Sequence, residues 1–181
     1  VLRRAMQDVK EIIEDYPDFF INVNISYKQL ERPEFTEEVI SIIKELDFPA
    51  KNLQLEITER CRNLDMAYLK KQLTFFREHD IKIALDDYGT GNSTINLLCE
   101  LPLTCVKIDQ TFILNILNNG SNQVVVDSTV QCAKRLGLSV CLEGIETQEI
   151  KDFIAKYSVN YHQGYFVPKN CCIICSRRTG S

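Results

Sequence analysis

The sequence predicts an α/β domain on a parallel sheet, and three observations lead there. Short apolar, β-branched runs alternate with longer stretches whose apolar residues recur at helical spacing. Helices of that length between strands imply βα units with right-handed crossovers. Strand after strand also ends in a polar or charged residue, so the chemistry gathers at one end of the sheet.

Residues 1–14 open with an amphipathic helical pattern behind the basic start Val1-Leu2-Arg3-Arg4. Phe19-Phe20-Ile21-Asn22-Val23-Asn24-Ile25 predicts the first strand. Phe35, Val39, Ile42, Ile43 and Leu46 mark a helix after Pro33, a residue suited to a helix start. Leu53-Gln54-Leu55-Glu56-Ile57-Thr58 predicts a second strand, and Met66, Leu69, Leu73 and Phe76 the helix behind it. Asp80 can turn left-handed at little penalty, and Ile81-Lys82-Ile83-Ala84-Leu85 then forms the third strand. Thr104-Cys105-Val106-Lys107-Ile108-Asp109 is the fourth. A helix from about Gly120 carries Val126, Val130, Ala133 and Leu136 on one face. Leu138-Ser139-Val140-Cys141-Leu142 is the fifth strand, Ile150, Phe153, Ile154 and Tyr157 stripe the last helix, and residues 161–167 make a sixth strand.

With 181 residues the chain has the length of one domain, and 45% apolar with 25% charged residues is a globular balance. A net charge of −4 with interspersed signs gives no sign of a nucleic-acid groove, so no DNA partner is expected. No apolar stretch is long enough for a bilayer span and no signal peptide is legible, which predicts a cytoplasmic protein. Cys99, Cys105, Cys132 and Cys141 sit in apolar or helical patterns and are expected to be buried, reduced thiols among the eight cysteines. Cys172 and Cys175 have a zinc-type spacing, but no second pair completes a site. A domain over 1–168 and a disordered Cys-rich tail over 169–181 are expected.

The strand-end residues are Asn24, Glu56, Asp86 with Asp87, Lys107, Glu143 and Gln163. Singly, each has a structural explanation: an Asn or Asp there caps the next helix, and Lys107 could pair with Glu143 or Asp109. Six in succession at one end of a βα barrel do not. The run Leu85-Asp86-Asp87-Tyr88-Gly89-Thr90-Gly91 is the most informative. It is expected to place one acid on each side of a strand tip and to fold a loop over what they hold. Hard oxygen ligands suit Mg²⁺ or Mn²⁺, and two such ions suit phosphodiester hydrolysis. The only histidines, His79 and His162, do not support a His-based mechanism.

Six segments resemble the EAL domain family of cyclic-di-GMP phosphodiesterases, in its order and at about its spacing. They are Val23-Asn24-Ile25-Ser26, Leu55-Glu56-Ile57-Thr58-Glu59, Asp86-Asp87-Tyr88-Gly89-Thr90-Gly91, Val106-Lys107-Ile108-Asp109, Glu143-Gly144-Ile145-Glu146-Thr147 and Gln163-Gly164-Tyr165. The resemblance implies a modified TIM (β/α)8 barrel, here incomplete with about six parallel strands. It also implies hydrolysis of cyclic di-GMP to linear pGpG with two Mg²⁺ or Mn²⁺ ions and inhibition by Ca²⁺. It makes Asn24, Glu56, Asp86 and Asp87 metal ligands, with Asp86 bridging. Lys107, Glu143 and Glu146 form the catalytic water network, and Glu59, Gln163 and Asp109 serve the loop and substrate. A homodimer, and fused sensor or cyclase domains in a longer protein, are further expectations.

The family's Glu-Ala-Leu strand is not among these residues, and residues 169–181 show no helical stripe. An N-terminally truncated fragment of low activity is therefore expected. The alternative is a cyclic-di-GMP-binding or regulatory module, favoured by that missing glutamate and by Gly91-Asn92-Ser93-Thr94, where the family often has an aromatic. A general metal hydrolase for other phosphate esters is the third reading.

Overall fold

The computed structural model describes residues 1–90 and 95–165. Val1–Ala84 form one compact unit, and a second begins at Leu85.

In the first unit, α1 (Leu2–Asp15) leads to β1 (Ile21–Asn24), α2 (Tyr27–Leu30), α3 (Phe35–Leu46), β2 (Leu53–Thr58), α4 (Met66–Glu78) and the start of β3 (Lys82–Tyr88). β1 and β2 pair in parallel, with Ile21 opposite Leu53 and Asn24 opposite Glu56. Side chains alternate along a strand, so Leu53, Leu55 and Ile57 share one face and are fully buried. Val39, Leu69, Leu73 and Phe76 of the helices are equally buried, and Phe35 meets Phe76 edge-on at 6.2 Å. The opposite strand face is polar. Gln54 Nε2 donates to Asn22 Oδ1 at 3.1 Å, one layer before Glu56 and Asn24.

β1 starts two residues later than the apolar run predicts. Asn52 explains this: its Nδ2 donates to the Pro17 carbonyl at 2.8 Å and also to that of Phe19. A side chain, rather than a strand, takes those acceptors. The unpredicted α2 is set by a capping box, in which Gln29 N–H donates to Ser26 Oγ and Ser26 N–H to Gln29 Oε1. Asp80 is left-handed as expected (φ 61°), and Asp47 ends α3 the same way (φ 48°).

The second unit holds the rest of β3, then α5 (Ile95–Glu100), β4 (Cys105–Ile108), α6 (Gln110–Ile113), α7 (Gly120–Arg135), β5 (Ser139–Glu143), α8 (Gln148–Ile154) and β6 (Tyr161–Gln163). β4 pairs with β5 and β5 with β6, both in parallel, placing Lys107 opposite Cys141 and Glu143 opposite Gln163. Strand order in the sheet follows chain order from β1 to β6. Among the described residues this is the βα repeat of a TIM barrel carried over six strands.

Several expectations need correction. α5 and α6 are too short to carry a helical period, so the sequence has no signal for either. Cys99 on α5 is exposed, whereas Cys105 and Cys141 are buried as expected and Cys132 is half-buried. Val126, Val130 and Ala133 are buried on α7, but Leu136 is exposed because the helix ends there, before Gly137 turns left-handed. Tyr157 belongs to a 3₁₀ turn, Ala155–Tyr157, rather than to α8. The expected loop residues 91–94 and the tail lie outside the described residues. No helix among the described residues is long and apolar enough to cross a membrane.

Candidate metal centre

β3 carries Asp86 and Asp87 just before its last residue, Tyr88, and the backbone between the two acids departs from a regular strand. Asp87 has φ 56°, a left-handed value that Asp tolerates better than most residues. In a regular strand adjacent side chains would diverge to opposite faces. The left-handed residue breaks that alternation. One carboxylate oxygen each from Asp86, Asp87 and Glu143 lies within 4.8 Å of the other two. The expectation of one acid on each side of the strand tip is thus overturned: both join one cluster. Thr90 secures the turn, its N–H and hydroxyl donating to the Asp87 carbonyl at 3.3 and 3.0 Å.

Lys107, on β4, is the cation of this cluster. Its Nζ stands 2.9 Å from Asp86 Oδ1 and 2.7 Å from Glu143 Oε1. Glu143, one of the two partners the sequence offered, is therefore in place. The other, Asp109, caps α6, its Oδ1 accepting from Thr111 N–H at 2.8 Å. Burial pushes the Glu143 carboxyl above its ordinary range; Lys107 pulls it down, while the charges of Asp86 and Asp87 push it up again. Every donor in the trio is a hard carboxylate oxygen, with no thiol among them, and this set fits a hard divalent cation.

The remaining candidates have other settings. Gln163 is the register partner of Glu143, and its carbonyl accepts from Ile145 N–H at 3.1 Å. Glu146 is exposed in the loop after β5 and is not in the three-acid group. In the first unit, Asn24 and Glu56 are register partners at the ends of β1 and β2; Glu56 is buried and Asn24 exposed. Glu59 is buried as the first residue of the 3₁₀ turn Glu59–Asn63.

Two residues that sequence reasoning passed over lie against the acid-bearing turns. A Cβ on Gly89 would fall 2.6 Å from Phe112 Cε2, and one on Gly144 would fall 2.6 Å from Gln110 Cβ. Both glycines have positive φ, 101° and 79°. The positive φ of two Gly could be guessed from their place after the acids, but their contacts with α6 have no sequence signal.

The EAL domain model matches residues 1–170. A cyclic di-GMP phosphodiesterase of Pseudomonas aeruginosa is 31% identical over 167 residues, which are 92% of this chain and 28% of that protein. Cyclic di-GMP phosphodiesterase PdeL of Escherichia coli is 31% identical over 160 residues, 88% of this chain and 44% of its own length. The chain thus spans less than half of either relative. Among solved structures, the EAL domain of Mycobacterium smegmatis DcpA superposes with a TM-score of 0.87 at 28% identity, covering 95% of this chain and 78% of that one. The MucR phosphodiesterase in complex with cyclic di-GMP gives 0.86 at 25% identity, covering 94% and 70%. Together with the acids at the ends of β3 and β5 and the lysine between them, the match over nearly the whole length settles the family: the chain belongs to the EAL domains.

Proposed function

We propose that this domain hydrolyses cyclic di-GMP to linear pGpG with Mg²⁺ or Mn²⁺ bound at the carboxylate cluster. The observation that carries the proposal is the convergence of Asp86, Asp87 and Glu143 within 4.8 Å, with Lys107 at hydrogen-bonding distance from two of them. The named activity of the relatives and the dinucleotide bound in a structural neighbour support the same substrate.

Asp86, Asp87 and Glu143 are the proposed cation holders in the second unit. When bound, the cations would lower the pKa of a coordinated water and offset the charge that a phosphodiester gathers during in-line attack. Lys107 fixes the directions of Asp86 and Glu143 through its two short contacts and orients the attacking water. On the family resemblance, Asn24 and Glu56 enter as further oxygen ligands, Glu146 and Gln163 as members of the water network, and Glu59 and Asp109 as loop supports.

The test is product analysis of cyclic di-GMP incubated with the protein in Mn²⁺. The wild type should release pGpG, at the low rate expected above for these residues. Asp86→Ala, Lys107→Ala and Glu56→Gln should each cut the rate by more than the roughly 10–100-fold typical of outer-shell changes. Tight binding in Ca²⁺ with no cleavage in Mn²⁺ would replace the enzyme with a binding module. Equal turnover of a simple aryl phosphodiester would replace the dinucleotide with a broader substrate class.

A further inference from the structure

The short helix α6 touches the backbone behind both groups of acids. Phe112 lies against Gly89, two residues after Asp87, and Gln110 lies against Gly144, the residue after Glu143. Asp109 N–H donates to the Tyr88 carbonyl at 3.4 Å, a second contact at the end of β3. A helix of four residues has little stability of its own. This one is held from both sides. The Asp109 carboxylate caps its start, and Asn122 Nδ2, at the start of α7, donates to the Thr111 and Phe112 carbonyls at 3.3 and 3.1 Å.

A core side chain could support either turn alone, but one rigid element against both fixes their separation. Each contact falls on a glycine with positive φ, so the brace approaches closer than a Cβ would allow. We infer that Phe112 is a positioning residue: through α6 it sets the spacing between the Asp86–Asp87 pair and Glu143, and hence the fit of the cluster to a divalent cation. The inference rests on the proposed reading of that cluster as a metal centre. Phe112 is half-buried, so shortening it need not open the core.

The experiment compares wild type, Phe112→Ala and Phe112→Tyr, with Asp86→Ala as control. Amide hydrogen exchange is followed without metal, and Mn²⁺ affinity by calorimetry. In Phe112→Ala, exchange should rise together in the turns around Gly89 and Gly144 while β5 stays protected. Mn²⁺ affinity should fall by about tenfold, the low end for a residue supporting ligands from outside. Phe112→Tyr, which keeps the ring, should restore both. Unchanged exchange in either turn, or faster exchange with Mn²⁺ affinity within twofold of wild type, would overturn the inference alone. Equal Mn²⁺ binding by wild type and Asp86→Ala would overturn the metal-centre reading and the inference with it.

Discussion

Lys107 Nζ stands 2.7 Å from Glu143 Oε1 across the β4–β5 pair, with 3% of the lysine side chain exposed. The same nitrogen reaches Asp86 Oδ1 on β3. An ammonium so deeply buried is tolerable only because acids surround it, and the acids depend on it in turn. Lys107→Ala should therefore destabilise the protein by about 3–5 kcal/mol in EDTA, as for other buried pairs that lose one partner. Urea unfolding measures this. The double variant Lys107→Met, Glu143→Gln should recover much of the loss, because it removes charge from both sides.

Asp87 gives a test of backbone conformation separate from charge. Asp87→Asn and Asp87→Ala both remove the carboxylate, yet only Asn visits the left-handed region readily. At φ 56° the alanine variant should be about 1 kcal/mol less stable than the asparagine one. Equal thermal midpoints would show that the turn relaxes without strain.

Much of this molecule was legible in the residues. β2 matches its predicted span from Leu53 to Thr58 because period-2 alternation and bounding turns coincide there. The same signal marks all six strands, although β3 runs on to Tyr88 and β6 stops at Gln163, short of the expected bound at 167, and the motif order marks the acids near the ends of β3 and β5. Short elements escaped, although Ser26 and Gln29 carried a readable capping box for α2. The convergence of Asp86 with Asp87 is not legible in the sequence, because alternation describes a regular strand and says nothing of a left-handed residue within it. The contacts of Phe112 and Gln110 with distant glycines arise only once the chain has folded.

Gly164 should be intolerant of any side chain. A Cβ there would overlap the backbone nitrogen and oxygen of Ile145, which cannot swing aside as a side-chain end could. Gly164→Ala should cost about 1–3 kcal/mol, as overpacking does, and weaken the Ile145 N–H to Gln163 carbonyl bond. Gly120 is the contrast. Nothing lies within 4 Å of its missing Cβ and it begins α7, so Gly120→Ala should leave stability unchanged or raise it by up to about 1 kcal/mol. Calorimetric midpoints of the two variants should move in opposite directions or differ clearly in size.

Thiol reactivity should separate Cys61 from Cys99. Burial, with a smaller push from the Glu59 charge, raises the Cys61 thiol to about 11. At pH 8 roughly one molecule in a thousand would then carry the thiolate, the form that alkylates. Cys99 is exposed and should react with iodoacetamide first. Mass spectrometry of native protein at pH 8 should find Cys99 modified well before Cys61. Raising the pH toward 11 should speed Cys61, and unfolding should abolish the difference.

The kink at Asp87 also bears on transplanting this centre. Copying two neighbouring aspartates onto the tip of some other β-strand would send them in opposite directions, whatever metal was supplied. A graft must carry the local backbone twist along with the acids.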